Sequence, residues 1–292
     1  MVEKRRRGGG VDAASRLAYP VGVAPIIGID DATDPRIEGF RQVRERDLVG
    51  RLGGFVAEGE VVLRAAIRAG RHPLTSVLIA EKRSLALAPL LDGLPDDVPV
   101  YAAPQPVLDA ITGFHIHRGI LAIGRRAAQP DLAGLLDGLG PRALVVVLYG
   151  VGNHDNIGGI FRNAAAFGVG AVLLDPGCCD PLYRKAIRVS VGAALTVPFV
   201  RLDPGVDPLG LLAARGFEAL ALSPSGGTLL ASLPRPPRAA VLLGAEGPGL
   251  PADILARTRT VSIPMAGAFD SLNVATTSGI VLHHLAFAGV PD

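Results

Sequence analysis

Residues Ala143-Leu-Val-Val-Val-Leu148 form an apolar run with no polar interruption. A strand with one face in water alternates apolar and polar side chains, so an unbroken run of this length predicts a strand covered on both faces. Helices on the two sides of a largely parallel sheet supply such cover, and the rest of the chain has the matching rhythm. Strand-like segments at 171–174, 197–200, 219–221, 239–243 and 261–263 alternate with helical stretches. The first half repeats the pattern on a smaller scale. A helix carrying Val61, Val62, Ala65 and Ala66 ends at Gly70; strands are expected at 76–80, 98–102 and 119–123, and helices at 85–91 and 107–111. The fold class is therefore α/β, with a small α/β domain ahead of a second one, and 292 residues that are 49% apolar can bury two cores. Abundant turn formers, 37 Gly and 24 Pro, predict short elements. The segment 125–142, with Pro130, Gly138, Gly140 and Pro141, reads as a connection. The expected division is a mobile tail at 1–29, a first domain at 30–127, a linker at 128–142 and a second domain at 143–292.

The formal net charge is only +2. Bulk electrostatics neither requires nor excludes a nucleic acid, and any basic surface has to be local. Aromatic residues at 4%, with no Trp, argue against a stacking platform for single strands. Cys178 and Cys179 are adjacent and poorly placed to bond each other, which points to packing and to a reducing compartment, the cytoplasm. The stretch 271–291 lacks Asp, Glu, Lys and Arg and is long enough to span a bilayer. Its Asn273, Thr276, Thr277, Ser278, His283 and His284 make it a buried helix instead. Lys4 to Arg7 followed by an apolar run imitates a signal peptide, but Pro20 and Pro25 break the run and no small-residue cleavage site follows.

Three loops at strand ends carry the candidate chemistry. The first is Gly150-Val-Gly-Asn-His-Asp-Asn-Ile-Gly-Gly-Ile-Phe-Arg162. Its first two glycines match a dinucleotide-binding turn, but Asp155 in the third position would repel a pyrophosphate. Asn156 suits the N-cap of a helix running to about Phe167, with Gly168 beyond its end. Arg162 then leans back over Gly158 and Gly159, as if cleared space were needed beside free amide groups for an anion; taken alone, the segment favours a surface arginine on a loosely packed helix. The second loop, Gly244-Ala-Glu-Gly-Pro-Gly-Leu250, sets Glu246 among glycines at a strand's C-terminal end, as a functional side chain or as a solvated acid in a turn. The third passes from Ile263-Pro-Met-Ala-Gly267 to Ser271-Leu-Asn273. Ser271 suits an N-cap, and Asn273 needs hydrogen-bond partners if it is buried. His115 and His117 lack a third ligand, so no metal is expected. Ser223-Pro-Ser-Gly-Gly227 lacks the glycine that precedes the serine of a nucleophile elbow.

In this order and spacing, Asn156-Ile-Gly-Gly-Ile-Phe-Arg162, Gly244-Ala-Glu-Gly-Pro-Gly-Leu250 and Ile263-Pro-Met-Ala-Gly267 with Ser271-Leu-Asn273 resemble the three motifs of SpoU-type (TrmH-like) RNA 2′-O-ribose methyltransferases of the SPOUT superfamily. The resemblance covers 143–288. Ahead of it, Phe55-Val-Ala-Glu-Gly59 and Gly113-Phe-His-Ile-His-Arg-Gly119 resemble the substrate-binding domain, related to a ribosomal-protein fold, that often precedes the methyltransferase. The resemblance implies a C-terminal α/β trefoil-knot (SPOUT) domain with S-adenosylmethionine bent against the knotted loops. It places cofactor contacts at Gly244, Ile263 and Leu272, and the catalytic neighbourhood at Asn156, Arg162, Glu246, Ser271 and Asn273. It further implies a cytoplasmic homodimer acting on a structured rRNA or tRNA, without membrane or metal. Phe269-Asp270, before Ser271, departs from the small or polar residues usual there, and Asp155 is a milder departure. A non-catalytic RNA-binding protein is the alternative, against which the five site residues argue; a dehydrogenase suffers from Asp155. A sulfonium methyl is already activated, so the enzyme mainly has to align a ribose hydroxyl and help its proton leave. Arginine, with a pKa above about 12, is a poor base, and Arg162 is expected to orient the adjacent phosphate and stabilise developing alkoxide.

Overall fold

Branched apolar runs become the strands of two sheets in a computed structural model, which describes residues 26–41, 53–113, 119–267 and 271–287. Lys4 to Arg7, His115, His117, Phe269 and Asp270 lie outside the described residues. The first sheet holds β1 (Ile26–Gly28), β2 (Gly54–Glu58), β3 (Leu74–Ala80), β4 (Val100–Ala103) and β5 (Ile120–Arg125), in the order β1-β4-β3-β5-β2. Three helices belong with it: α1 (Glu60–Ala69), α2 (Ser84–Leu91) and α3 (Gln105–Thr112). Gly70 caps α1 at φ 57 as expected, its N–H donating to the Ala66 carbonyl. Residues 26–29, expected to fall within a mobile tail, are instead held in place. Ile26 to Gly28 pair in parallel with Val100 to Ala102, and Ile26 and Ile29 are buried, because two β-branched side chains gain more from the core than the chain gains from freedom.

Contacts group the described residues within 1–43 and 75–122 into one compact unit, and those within 44–74 and 123–292 into another. This grouping does not follow the division at 127. Within the second unit, Glu58 accepts from the Arg184 guanidinium at 2.8 Å, and a Cβ on Gly192 would stand 2.9 Å from that of Ala65. The segment read as a linker holds α4 (Leu132–Asp137). Asp131 caps it by accepting from the Gly134 N–H at 2.7 Å, and Leu136 is buried in the main core.

The second sheet contains β6 (Ala143–Tyr149), β7 (Ala171–Leu174), β8 (Phe199–Arg201), β9 (Glu218–Leu222), β10 (Thr228–Leu229), β11 (Arg238–Gly244) and β12 (Arg259–Ser262). Its order is β10-β12-β9-β11-β6-β7-β8, and every neighbouring pair is parallel. All of residues 143–148 are buried, as a doubly covered central strand requires. The helices are α5 (His154–Ala166), α6 (Arg184–Val189), α7 (Pro208–Ala213), α8 (Ala252–Ala256) and α9 (Val274–Phe287). Only one face of α9 is buried, through Val274, Ser278, Val281, Leu282 and Leu285. Ile280 and Phe287 are exposed, so the helix expected to be buried is buried on that face alone. No described helix is long and apolar enough to cross a membrane, and no three His, Cys, Asp or Glu cluster among the described residues.

The paired glycines of α5 have a packing cause. A Cβ on Gly158 would stand 2.7 Å from the Val189 Cβ and 2.9 Å from the Ala186 carbonyl oxygen; one on Gly159 would stand 2.7 Å from the Ala275 Cβ. The cleared space is therefore taken by α6 and α9 rather than kept for an anion. Alanine at 158 should gain helix propensity yet lower unfolding free energy by about 1–3 kcal/mol, because a packed crossing has no room for the methyl. Urea unfolding measures this, and a variant more stable than the parent would contradict the close crossing.

Candidate functional site

β12, β9 and β11 are consecutive in the parallel sheet, and their C-terminal ends open on the same edge, where α/β sheets gather their loops. Leu222 ends β9, and Ser223 and Pro224 follow it. Gly244 to Gly247 and Gly249 close β11, and Ile263 and Met265 follow β12. Together with Ser271, Leu272 and the first turns of α9 they line a cavity of about 830 Å³ including its solvent-open mouth. That volume suits a small organic molecule.

Gly244 lets the second loop fold back on its own strand. A Cβ there would stand 2.2 Å from the Gly249 carbonyl carbon, and the turn closes as the Gly249 N–H donates to the Ala245 carbonyl at 3.0 Å. Gly249, at φ 71, adopts a backbone conformation that strains other residues.

Asn273 joins the three motifs. Its Nδ2 donates to Asn156 Oδ1 and to Glu246 Oε1, each at 2.8 Å. Its Oδ1 accepts from the N–H groups of Ala275 and Thr276 at 2.9 and 3.1 Å. Asn273, and not Ser271, is thus the residue that caps α9, while Ser271 lies on the cavity wall. The other expected cap also moves. Asn153 Oδ1 accepts from the Asp155 N–H at 2.8 Å, so α5 starts at His154 and Asn156 falls inside its first turn. With the cap supplied by Asn153, the buried Asn156 amide is left for Asn273.

Gly244, Glu246, Ile263, Ser271 and Leu272 therefore share one cavity, and Asn156 and Asn273 are tied to its rim through Glu246. Arg162 stands apart: it is exposed on α5 and does not line this cavity. α5 and α9 are clasped beside it, as Asn163 Nδ2 donates to the Ala275 carbonyl and to Ser278 Oγ, and the Phe167 ring meets His283 edge-on at 5.6 Å. Asp155 pairs with Lys185 at 2.6 Å on an exposed surface. Burial pushes the Cys178 thiol up to about 12 and that of Cys179 to about 11, as suits packing residues rather than nucleophiles. Sequence reasoning missed the wall made by Leu222, Ser223 and Pro224, of which it weighed only the last two, within a nucleophile turn. The available signal was their place at the end of a predicted strand.

The model of the SpoU rRNA Methylase family matches residues 143–283. An "uncharacterized tRNA/rRNA methyltransferase" of Mycobacterium bovis is 38% identical over 270 residues, which span 89% of this chain and 91% of that protein. The chain belongs to the SpoU methylase family. Solved structures share the SpoU fold. The AdoMet-bound rRNA methyltransferase from Sinorhizobium meliloti aligns with a TM-score of 0.71 at 24% identity, over 90% of this chain and 97% of that one. A crystal structure described as an RNA 2′-O ribose methyltransferase aligns with a TM-score of 0.69 at 25% identity, over 89% and 98%.

Proposed function

We propose that this SpoU-family chain transfers a methyl group from S-adenosylmethionine to a ribose 2′-hydroxyl of a structured rRNA or tRNA, as a cytoplasmic homodimer with a trefoil-knotted second domain. The observation that carries the reading is the Asn156–Asn273–Glu246 network, which holds three separated motifs around one cavity. The residues present suit the cofactor. Gly244, Ile263 and Leu272 would hold it, because glycines expose backbone donors and acceptors while Leu222, Val261 and Met265 supply apolar walls. When bound, S-adenosylmethionine supplies a methyl group activated by a positively charged sulfur. Glu246 places a carboxylate at the cavity, where it favours a cation. Asn273 fixes one oxygen of that carboxylate and ties its orientation to α5 and α9.

The dimer reading is supported by the outward face of the clasped helices, where Ile280 and Phe287 are exposed on α9 and Arg162 on α5. A two-fold contact through that face would bring Arg162 of one protomer to the cavity of the other. There it would orient the RNA phosphate beside the reacting sugar and stabilise developing alkoxide. Division of labour follows from the sequence resemblance: the first domain, at 30–127, selects the RNA.

Calorimetric titration with S-adenosylmethionine, followed by mapping of ribose methylation in RNA from cells with and without the protein, tests the proposal. Saturable heat and the loss of one 2′-O-methyl mark are expected. Absence of both would make the chain a binding protein that kept the fold.

A further inference from the structure

A chain of net charge +2 must concentrate any basic surface locally, and a second cavity shows where. It measures about 760 Å³ with its open mouth and lies where α1 ends and the chain leaves β5. Arg71, His72, Arg126, Gln129 and Phe199 line it, and no Asp or Glu does. The segments 68–72 and 125–126 hold Arg68, Arg71, His72, Arg125 and Arg126 without a single acid.

Two N–H groups of the lining residues are buried with no hydrogen-bond partner among the described residues: Arg71 Nε and His72 Nε2. His72 is only 7% exposed. Its Nδ1 accepts from the Ala127 N–H at 3.1 Å, which leaves the ring hydrogen on Nε2 as a donor. Burial first, then the charges of Arg71 and Arg126, hold the imidazole down at about 4 against the opposing Asp180, so the ring is neutral at pH 7. Arg126 is fixed from two sides. It pairs with Asp180, and its guanidinium lies 5.9 Å from the Phe199 ring centroid. Natural folds rarely leave buried donors unpaired, and a ligand with several acceptor oxygens would complete these.

We propose that this cavity takes a phosphate group of the RNA backbone, held by the Arg71 Nε–H, the His72 Nε2–H and the Arg126 guanidinium. The inference rests on the RNA methyltransferase reading for the identity of the polymer, but the anion site stands on its own donors. A phosphodiester offers a negative charge and unesterified oxygens to the N–H groups of these lining residues. Exposed Arg68 and Arg125, adjacent in sequence to the lining residues, offer contacts for neighbouring phosphates that a free anion would not use.

The test follows the His72 ring by NMR in the full chain while inorganic phosphate, and separately a ten-nucleotide oligouridylate, is added. Both probes are expected to shift its Nε2 signal and raise its pKa, since a nearby anion favours the protonated ring. Arg71→Gln should weaken oligouridylate binding about tenfold and make its logarithmic salt dependence shallower by about 0.7, one single-strand phosphate contact. Calorimetric binding of S-adenosylmethionine should stay at the parent value in this variant. An oligouridylate that leaves His72 unmoved and binds Arg71→Gln as it binds the parent overturns the proposal, even in a protein that methylates RNA. Inorganic phosphate moving His72 where the oligonucleotide does not also overturns it, and assigns the cavity to a free anion. Failure of the methyltransferase reading looks different: no cofactor heat and no methyl transfer, in a protein whose His72 still answers to RNA.

Discussion

Arg162→Ala should lower methyl transfer about 100- to 1,000-fold at saturating S-adenosylmethionine, the range seen when one preorganised charge stabiliser is removed. The fold should be indifferent, because Arg162 is exposed and lines neither cavity. Cofactor affinity should also stay unchanged. Lysine at 162 should recover part of the loss, since it keeps the charge but not the planar fork that grips two phosphate oxygens. The dimer proposal adds a sharper expectation. Arg162→Ala protomers keep an intact cavity, and Gly244→Ala protomers keep the arginine. Mixed in equal amounts and allowed to exchange, they should regain about a quarter of parent activity if the arginine acts across the two-fold, because half of the dimers are mixed and each has one complete site. If the arginine serves its own protomer, the mixture stays inactive. Parent-level turnover in Arg162→Ala alone would remove the residue from the reaction.

The central strands were legible because an apolar run covered on both faces has few other meanings. β7 falls at the expected residues, and β6, β9 and β11 extend the expected runs by one or two. β1 and β10, with three and two residues, carry too little periodicity to be read, and their places are set by β4 and β12. The caps went astray where two good capping residues compete. In Asn153-His-Asp-Asn156 either asparagine can cap α5, and the choice falls to a partner 117 residues away, since Asn273 engages Asn156. The same partner displaces Ser271 as the cap of α9. Gly158 and Gly159 looked like room for an anion because the helices that fill the room come from later segments of the chain. Motif order named the site residues, but the wall from β9 depends on its lying between β11 and β12, an adjacency that chain order does not contain.

Gly244→Ala is expected to abolish measurable S-adenosylmethionine binding, a loss of at least about 100-fold, or about 2.7 kcal/mol. The added Cβ would stand 2.2 Å from the Gly249 carbonyl carbon, 2.4 Å from its oxygen and 2.5 Å from the Leu250 nitrogen. All three are backbone atoms, so no rotamer change relieves the overlap. One side of the contact has to move. Gly244 is held in register opposite Tyr149, and Leu250 is buried in the main core, so the strain falls on the 245–249 turn between them. That turn carries Ala245, Glu246, Gly247 and Gly249 on the cavity wall, and its displacement would also pull Glu246 from Asn273. Unfolding free energy should fall by about 1–3 kcal/mol in the same variant. Gly247→Ala separates the two effects. Gly247 sits at φ 90 with nothing within 4 Å of an added Cβ, so alanine there meets backbone strain of about 1–3 kcal/mol without a clash against Gly249. Binding should weaken less in Gly247→Ala than in Gly244→Ala when both are titrated by calorimetry. Parent-like affinity in a folded Gly244→Ala protein would mean that the cofactor does not occupy this cavity, and the catalytic reading of the loops around it would fall with it.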